Sequence, residues 1–340
     1  MPRLSEGREG SHRAGIIFGM SGVPAAILNP APPDLRTTAA WPGPPGLAGL
    51  AVDAAMARLG LFEALPEAGS AGRAGEEAGI RFRIDEHLMY GVLDVEEGDF
   101  GPGGQPLRQA TEDAYRRILA LIGREGRPHL WRTWNYLADI NRATGGLERY
   151  RQFNLGRHDA FVAGGRLTRG QVPAACALGT RSGPLTIAFL AGRGEAVPIE
   201  NPRQTSAYDY PAIYGPRSPA FSRAMLARLP GREALLVSGT ASIVGHETRH
   251  LGDVAGQTRE TLANIEALLA SANGKSLTGP YRLPELGLRV YLRHAADLPR
   301  ARPAIEAAAS ASIEYIEADI CRADLLVEIE AIASHPMGHS

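Results

Sequence analysis

The stretch Gln257 to Ser271 reads QTRETLANIEALLAS. Leu262, Ile265 and Leu269 fall at i, i+3 and i+7, the apolar stripe of an amphipathic helix, and Asn273 and Gly274 supply a stop. A strand is expected next, over Leu286–Leu292 (LGLRVYL). The same order occurs earlier in the chain. A helix is expected over Ala110–Gly123, ended by Gly126 and Pro128, and then a strand over Leu130–Leu137 (LWRTWNYL), whose bulky residues favour a pleated surface. Aligning Thr111 with Thr258 sets Tyr115 on Leu262, Ile118 on Ile265 and Ile122 on Leu269 without a gap, and the strands match as Tyr136-Leu137 and Tyr291-Leu292. Two diverged copies of one unit are therefore expected. Further strand signals at Leu185–Leu190, Ala234–Val244, Ile313–Ile320 and Leu325–Ile332, with a short helix from about Pro303 to Ala309, give an α+β chain with helices on one face of a mixed sheet.

The rest of the composition narrows the function. The 340 residues are 44% hydrophobic and 21% charged, so disorder is not the main state. A net charge of −1 gives no global field for nucleic acid or an anionic membrane, and neither is expected as a partner. Lys275 is the only lysine, so the abundance of arginine by itself carries little functional meaning. The most signal-like segment, Ala14–Leu28, is interrupted by Gly19, Gly22 and Pro24, and no span is expected. The only cysteines, Cys176 and Cys321, are too few for a disulfide framework or a thiolate zinc site, which makes the cytoplasm the default compartment. The Pro/Gly-rich residues 1–50 are read as an arm, followed by a first half over 51–165 and a second over 166–335.

One motif points elsewhere. His246-Glu247-Thr248-Arg249-His250 matches H-E-x-x-H, which binds zinc when a helix puts both histidines on one face. Here it follows the strand-like LLVSGTASIVG, with Gly245 before it and Gly252 soon after, and Gly256 stands where a third histidine would fall. Loop residues after a strand are expected, and neither a metal nor a cofactor.

Two segments of the second half, Gly252–Ala272 (GDVAGQTRETLANIEALLASA) and Val327–Ala333 (VEIEAIA), resemble the RidA/YjgF-like family of reactive-imine deaminases. That resemblance implies the RidA/YjgF-like (chorismate-mutase-like) fold, a sheet with two helices on one face, normally in trimers. The family's imine-hydrolysing arginine falls on Ile313 here, so imine hydrolysis is not expected, while its strand glutamate is present as Glu328. A closer match covers most of the chain from Trp131. WRTWNYLADIN (131–141), GLERYRQFNLGRHDAF (146–161), YDYPAIYGPRSPAFSRA (208–224), SGTASIVGHETRHLGD (238–253) and ADICRADLLVEIEA (318–331) resemble the chorismatases, in the right order.

The resemblance implies chorismate as substrate and no cofactor. Loss of the enolpyruvyl side chain as pyruvate needs a proton on its terminal methylene carbon, hence a carboxylic acid kept protonated by burial. Glu328 is implied as that donor, and strand alternation puts it on one face with Glu330. The dianion calls for arginine forks. Arg157, Arg217 and Arg223 lie in the matching motifs, with Tyr150 and Tyr214 as phenolic donors, and small residues around Thr240 leave room near the backbone. Chorismatases that form 3-hydroxybenzoate resemble this chain in pairing a glycine in S-G-T-A-S, here Gly239, with a cysteine, here Cys321. The expectation is therefore 3-hydroxybenzoate plus pyruvate. The alternatives are a dihydroxycyclohexadiene carboxylate, a mixture with 4-hydroxybenzoate, or a RidA-like binding protein without this activity. Monomer and homotrimer both remain open.

Overall fold

The computed structural model describes residues 26–27, 73–101, 104–166, 172–309 and 312–337. Apart from Ala26–Ile27, the expected N-terminal arm and the signal-like segment lie outside the described residues. The first unit runs β1 (Arg73–Glu77), β2 (Ile80–Ile84), β3 (Leu88–Val95), α1 (Pro106–Arg124), β4 (His129–Ala138), α2 (Arg149–Ala163), β5 (Ala174–Thr180) and β6 (Leu185–Gly192). The second runs β7 (Ala196–Ile199), β8 (Ala224–Leu229), β9 (Arg232–Ala241), α3 (Val254–Asn273), β10 (Gly287–Leu292), α4 (Leu298–Ala308), β11 (Ile313–Glu317), β12 (Asp319–Ile320) and β13 (Val327–Pro336).

The two sheets have the same topology. One is ordered β12-β5-β4-β6-β3-β2-β1, the other Ala26–Ile27 followed by β11-β10-β13-β9-β8-β7. In each, only the pair joined across the second helix is parallel, β4 with β5 and β10 with β11. The repeat read from the helices is thus present strand by strand. Strands β5 and β6 pair within the first sheet, so the sheet-forming halves divide between Gly192 and Ala196, downstream of the expected 165/166. The short strand β12 crosses over, pairing with β5 of the first sheet.

The helices form for local reasons. Pro106 opens α1 where no amide donor is needed. The Asp253 side chain caps α3 by accepting from the Ala255 amide at 3.1 Å. The aligned threonines are equivalent in structure too: Thr111 donates to the Leu107 carbonyl at 2.7 Å and Thr258 to that of Val254 at 2.8 Å. Tyr115, Ile118 and Ile122 of α1 and Leu262, Ile265 and Leu269 of α3 are buried against their own sheets.

Strand alternation then leaves each sheet a second face, and the two second faces pack on each other. That inter-sheet core holds Tyr90, Trp134, Tyr136, Cys176 and Leu190 from the first sheet and Met225, Leu236, Tyr291 and Ile332 from the second. The layers are helix, sheet, sheet, helix. The matched tyrosines meet in the middle, the hydroxyls of Tyr136 and Tyr291 lying 3.4 Å apart. Any charged residue on an inward position of β13 is consequently held between two sheets.

Candidate active site

Strand β13 puts Val327, Ile329 and Ala331 toward the helices. Glu328 and Glu330 therefore face the other sheet, as the alternation predicts, and both are buried. Their surroundings differ. Glu330 is ion-paired with Arg132 of β4 and with Arg289 of β10 at 3.2 Å, and accepts from the Tyr291 hydroxyl at 2.9 Å. Arg289 in turn pairs with Glu314 at 2.9 Å. Two guanidinium groups thus face two carboxylates, and no cation in that group is left over.

Glu328 has no such partner. Among the described residues its carboxyl is only 3% exposed and accepts no hydrogen bond. Desolvation, followed by the charge of Glu330, pushes its pKa up to about 8, against weaker opposing pulls from Arg132 and Arg293. It is a buried carboxyl that holds its proton at neutral pH.

Gly239 makes room for it. A Cβ at Gly239 would stand 1.9 Å from Glu328 Oε1 and 3.1 Å from the Cys176 Cβ, so no larger residue fits there without displacing the acid. The ladder between β9 and β13 is irregular between Val237 and Thr240, which lets Gly239 approach so closely. The Thr240 hydroxyl is taken by the Ser238 carbonyl at 2.9 Å, within that irregularity.

Cys321 follows β12 and lies within the electrostatic reach of Glu328. Burial, then the Glu328 charge, pushes its thiol up to about 12, so it is no thiolate nucleophile. Its segment is held rigidly. Arg293 donates to the carbonyls of Leu325, Ile320 and Arg322 and to the side chains of Asn141 and Asp319, all at 2.7–3.1 Å. Helix α2 contributes Tyr150, whose phenol is raised by burial and by the charge of Cys321 and of Glu328, and lowered by Arg157. Arg157, 2% exposed, lies over the Phe153 ring and donates to Asn154 Oδ1 at 3.1 Å, and its Nε has no partner. Tyr150, Arg157, Cys321, Gly239 and Glu328 therefore come together from four separate parts of the chain.

The loop over 207–217 completes the neighbourhood. Arg223 donates to the Tyr210 hydroxyl at 2.9 Å and to the Thr205 carbonyl at 2.7 Å, again with an unpartnered Nε. The Tyr214 hydroxyl is used within the protein, donating to the His246 carbonyl at 2.6 Å. Arg217 is exposed, and its charge is felt at His158 of α2, whose imidazole pKa it lowers after desolvation.

The H-E-x-x-H string forms no helix. Ile243–Val244 pairs with Glu247–Thr248 in a hairpin turned by Gly245, which has φ +60°. His246 meets the Tyr214 hydroxyl while His250 faces Glu260 at 3.3 Å, so the two rings serve different neighbours. Among the described residues no group of three or more His, Cys, Asp or Glu is placed to hold a metal ion.

The spacing of charges missed several contributors. Helix α2 gave no apolar stripe because its inward face carries Arg149, Gln152, Asn154 and Arg157 beside Phe153 and Phe161. Arg132, Arg289 and Arg293 stood among many arginines with no motif to single them out. The repeat also has an informative asymmetry. Pairing with the matched tyrosines makes Thr186 the counterpart of Glu328, and it donates to Asp94 at 2.6 Å. The acid therefore occurs in one half only.

A buried carboxylic acid between two sheets, flanked by buried arginines, is an arrangement suited to proton transfer on an anionic substrate. The chain belongs to the chorismatase family. Residues 66–191 match the family model described as chorismatase FkbO/Hyg5-like, N-terminal, close to the limits of the first sheet. The chain is 40% identical to a 3-hydroxybenzoate synthase of Streptomyces hygroscopicus over 271 residues, 76% of this chain and 77% of that protein. It is 40% identical to a chorismatase of Streptomyces rapamycinicus over 270 residues, 77% of this chain and 79% of that protein. A crystal structure of a chorismatase aligns with a TM-score of 0.72 at 35% identity, covering 77% of this chain and 79% of that one.

Proposed function

We propose that this protein converts chorismate into 3-hydroxybenzoate and pyruvate, with Glu328 as proton donor. The observation that carries the proposal is a buried carboxyl raised to about 8 beside a glycine that leaves it room. Neutral Glu328 delivers its proton to the methylene carbon of the enolpyruvyl group. The positive charge that develops at the ether carbon is stabilised by the new Glu328 carboxylate. The C4 hydroxyl attacks C3 as the bond from C3 to the side-chain oxygen breaks, so pyruvate leaves with the ether oxygen and the hydroxyl proton returns to Glu328. A 3,4-epoxide remains and opens at C4 with reprotonation of its oxygen. The two products together have the composition of chorismate, so no net water is consumed. Aromatisation gives up one ring proton, which restores the acid.

Arg157 and Arg223 offer the buried N–H groups that the two substrate carboxylates require. Tyr150 and Cys321 line the acid's neighbourhood as neutral groups, which suits a ring that must lose charge rather than meet a nucleophile. Gly239 and Cys321 are the residues assigned to product choice. The dihydroxy acid and 4-hydroxybenzoate are the competing products, and Arg217 and Thr240 have the least support as substrate contacts. Two free thiols, Cys176 and Cys321, suit a reducing compartment, which supports a cytoplasmic placement. Among the described residues no helix is long and apolar enough to cross a membrane.

The test is incubation of purified protein with chorismate and separation of products by retention time and mass. Pyruvate with 3-hydroxybenzoate is expected in equal amounts. Pyruvate with the dihydroxy acid would keep the substrate and overturn the product assignment. No turnover by folded protein would favour a binding role instead.

A further inference from the structure

Arg322 follows Cys321 directly, yet nothing in the sequence distinguished it from the other arginines. Its guanidinium stacks 4.0 Å from the Tyr214 ring centroid and 5.2 Å from that of Tyr210. Nη1 donates to the His246 carbonyl at 2.8 Å, and Nη2 is buried with no hydrogen-bond partner. Arg223 lies 5.6 Å from the same Tyr210 ring and has a buried, unpartnered Nε. Among the described residues neither guanidinium is paired with a carboxylate; each is held by carbonyls, a phenol and aromatic faces.

That pattern is unusual physically. A buried N–H without an acceptor is costly, and a guanidinium withdrawn from water is tolerated when a counter-charge meets it. Other buried arginines obey that rule: Arg132 and Arg289 share Glu330, and Arg149 pairs with Glu97; among the described residues buried Arg157, already assigned to a carboxylate position, also lacks a paired carboxylate. Buried Arg223 and half-buried Arg322 break it on the same aromatic ring, beside the acid's own neighbour Cys321. The Arg322 backbone is also fixed in advance, its carbonyl accepting from Arg293 Nη2 at 2.8 Å, so little ordering is left for binding.

We infer that Arg322 and Arg223 form one carboxylate subsite on either side of Tyr210, separate from the carboxylate position served by Arg157. Tyr214 then acts as a positioning residue, its ring holding the Arg322 fork flat. The inference rests on chorismate as the substrate, a dianion whose two carboxylates need two such positions.

The two products each keep one of those carboxylates, 3-hydroxybenzoate the ring one and pyruvate the side-chain one. Their inhibition constants against chorismate turnover therefore separate the subsites. Arg322→Gln and Arg223→Gln are expected to weaken inhibition by the same product about 10- to 100-fold, the effect of losing one charge-assisted hydrogen bond. Inhibition by the other product should stay within about twofold. Arg157→Gln should show the opposite selectivity. Arg322→Lys, which keeps the charge but loses the fork, should fall between Arg322→Gln and wild type; it carries the test if the glutamine variant does not fold. Unchanged constants for both products would overturn the inference while wild-type turnover of chorismate leaves the functional reading standing. Equal weakening of both products, the mark of a loosened loop, would overturn it as well. A folded wild type that does not turn over chorismate would remove both.

Discussion

Replacing Glu328 by glutamine should make the protein inactive and more stable at once. The carboxyl ordinarily titrates at 4.5 and is raised to about 8 in the folded chain. At pH 7 an acid of the ordinary kind is about 0.3% protonated, whereas this one is about 90% protonated, roughly a 300-fold gain in the form that donates. The same shift costs stability. Below pH 4.5 folded and unfolded chains both hold the proton and nothing is lost. Between 4.5 and about 8 the unfolded chain releases it and the folded chain does not, so stability falls as pH rises. At about 1.4 kcal/mol per pH unit, the loss is about 3 kcal/mol at pH 7 and about 4 kcal/mol at pH 8, where the folded-state carboxyl is itself half ionised. Glutamine is nearly the same shape and never ionises, so Glu328→Gln escapes this loss. Urea unfolding at pH 5, 7 and 8 should show the variant gaining on wild type as pH rises, by about 2–3 kcal/mol between pH 5 and pH 7. Chorismate turnover should drop by at least about 100-fold, the usual share of a positioned general acid. A stability difference that does not change with pH, or a variant retaining more than about a tenth of wild-type turnover, would refute the reasoning.

Three further outcomes follow from the same geometry. Gly239→Ala puts a methyl 1.9 Å from Glu328 Oε1, and displacement of the acid should lower 3-hydroxybenzoate formation at least about tenfold by chromatographic assay; an unchanged rate and product would remove Gly239 from the site. Arg132→Met breaks the buried pair with Glu330 and should destabilise the protein by about 3 kcal/mol in urea unfolding, since Glu330 loses one of its two cations. Exhaustive dialysis against chelator should leave turnover unchanged, and a loss restored by zinc would bring the histidine hairpin back into consideration.

The sequence made the repeated helix legible because Leu262, Ile265 and Leu269 are apolar at helical spacing and Tyr115, Ile118 and Ile122 match them. It made Glu328 and Glu330 legible as neighbours on one face because a strand alternates strictly. Three features were hidden for physical reasons. Helix α2 buries polar side chains, so its periodicity is one of hydrogen bonds rather than hydrophobicity. The division after Gly192 was obscured because β5 and β6 are short apolar runs separated by Arg181–Pro184, with no change of composition to mark the boundary. The closeness of Gly239 to Glu328 depends on an irregular ladder between strands almost ninety positions apart, roughly the separation at which local pattern says nothing. The contrast between Glu328 and Glu330 is likewise tertiary: two residues apart, one meets two arginines and the other none.

The central claim is that Glu328 acts as a protonated acid. The most direct test is the pH dependence of kcat/KM for chorismate in the wild type, whose substrate carboxylates are ionised throughout the neutral range. A plateau from about pH 5.5 to 7.5, with a tenfold fall per pH unit above about 8, is the expected result. A rate that climbs through pH 5–8, as an ionised carboxylate base would require, would contradict it.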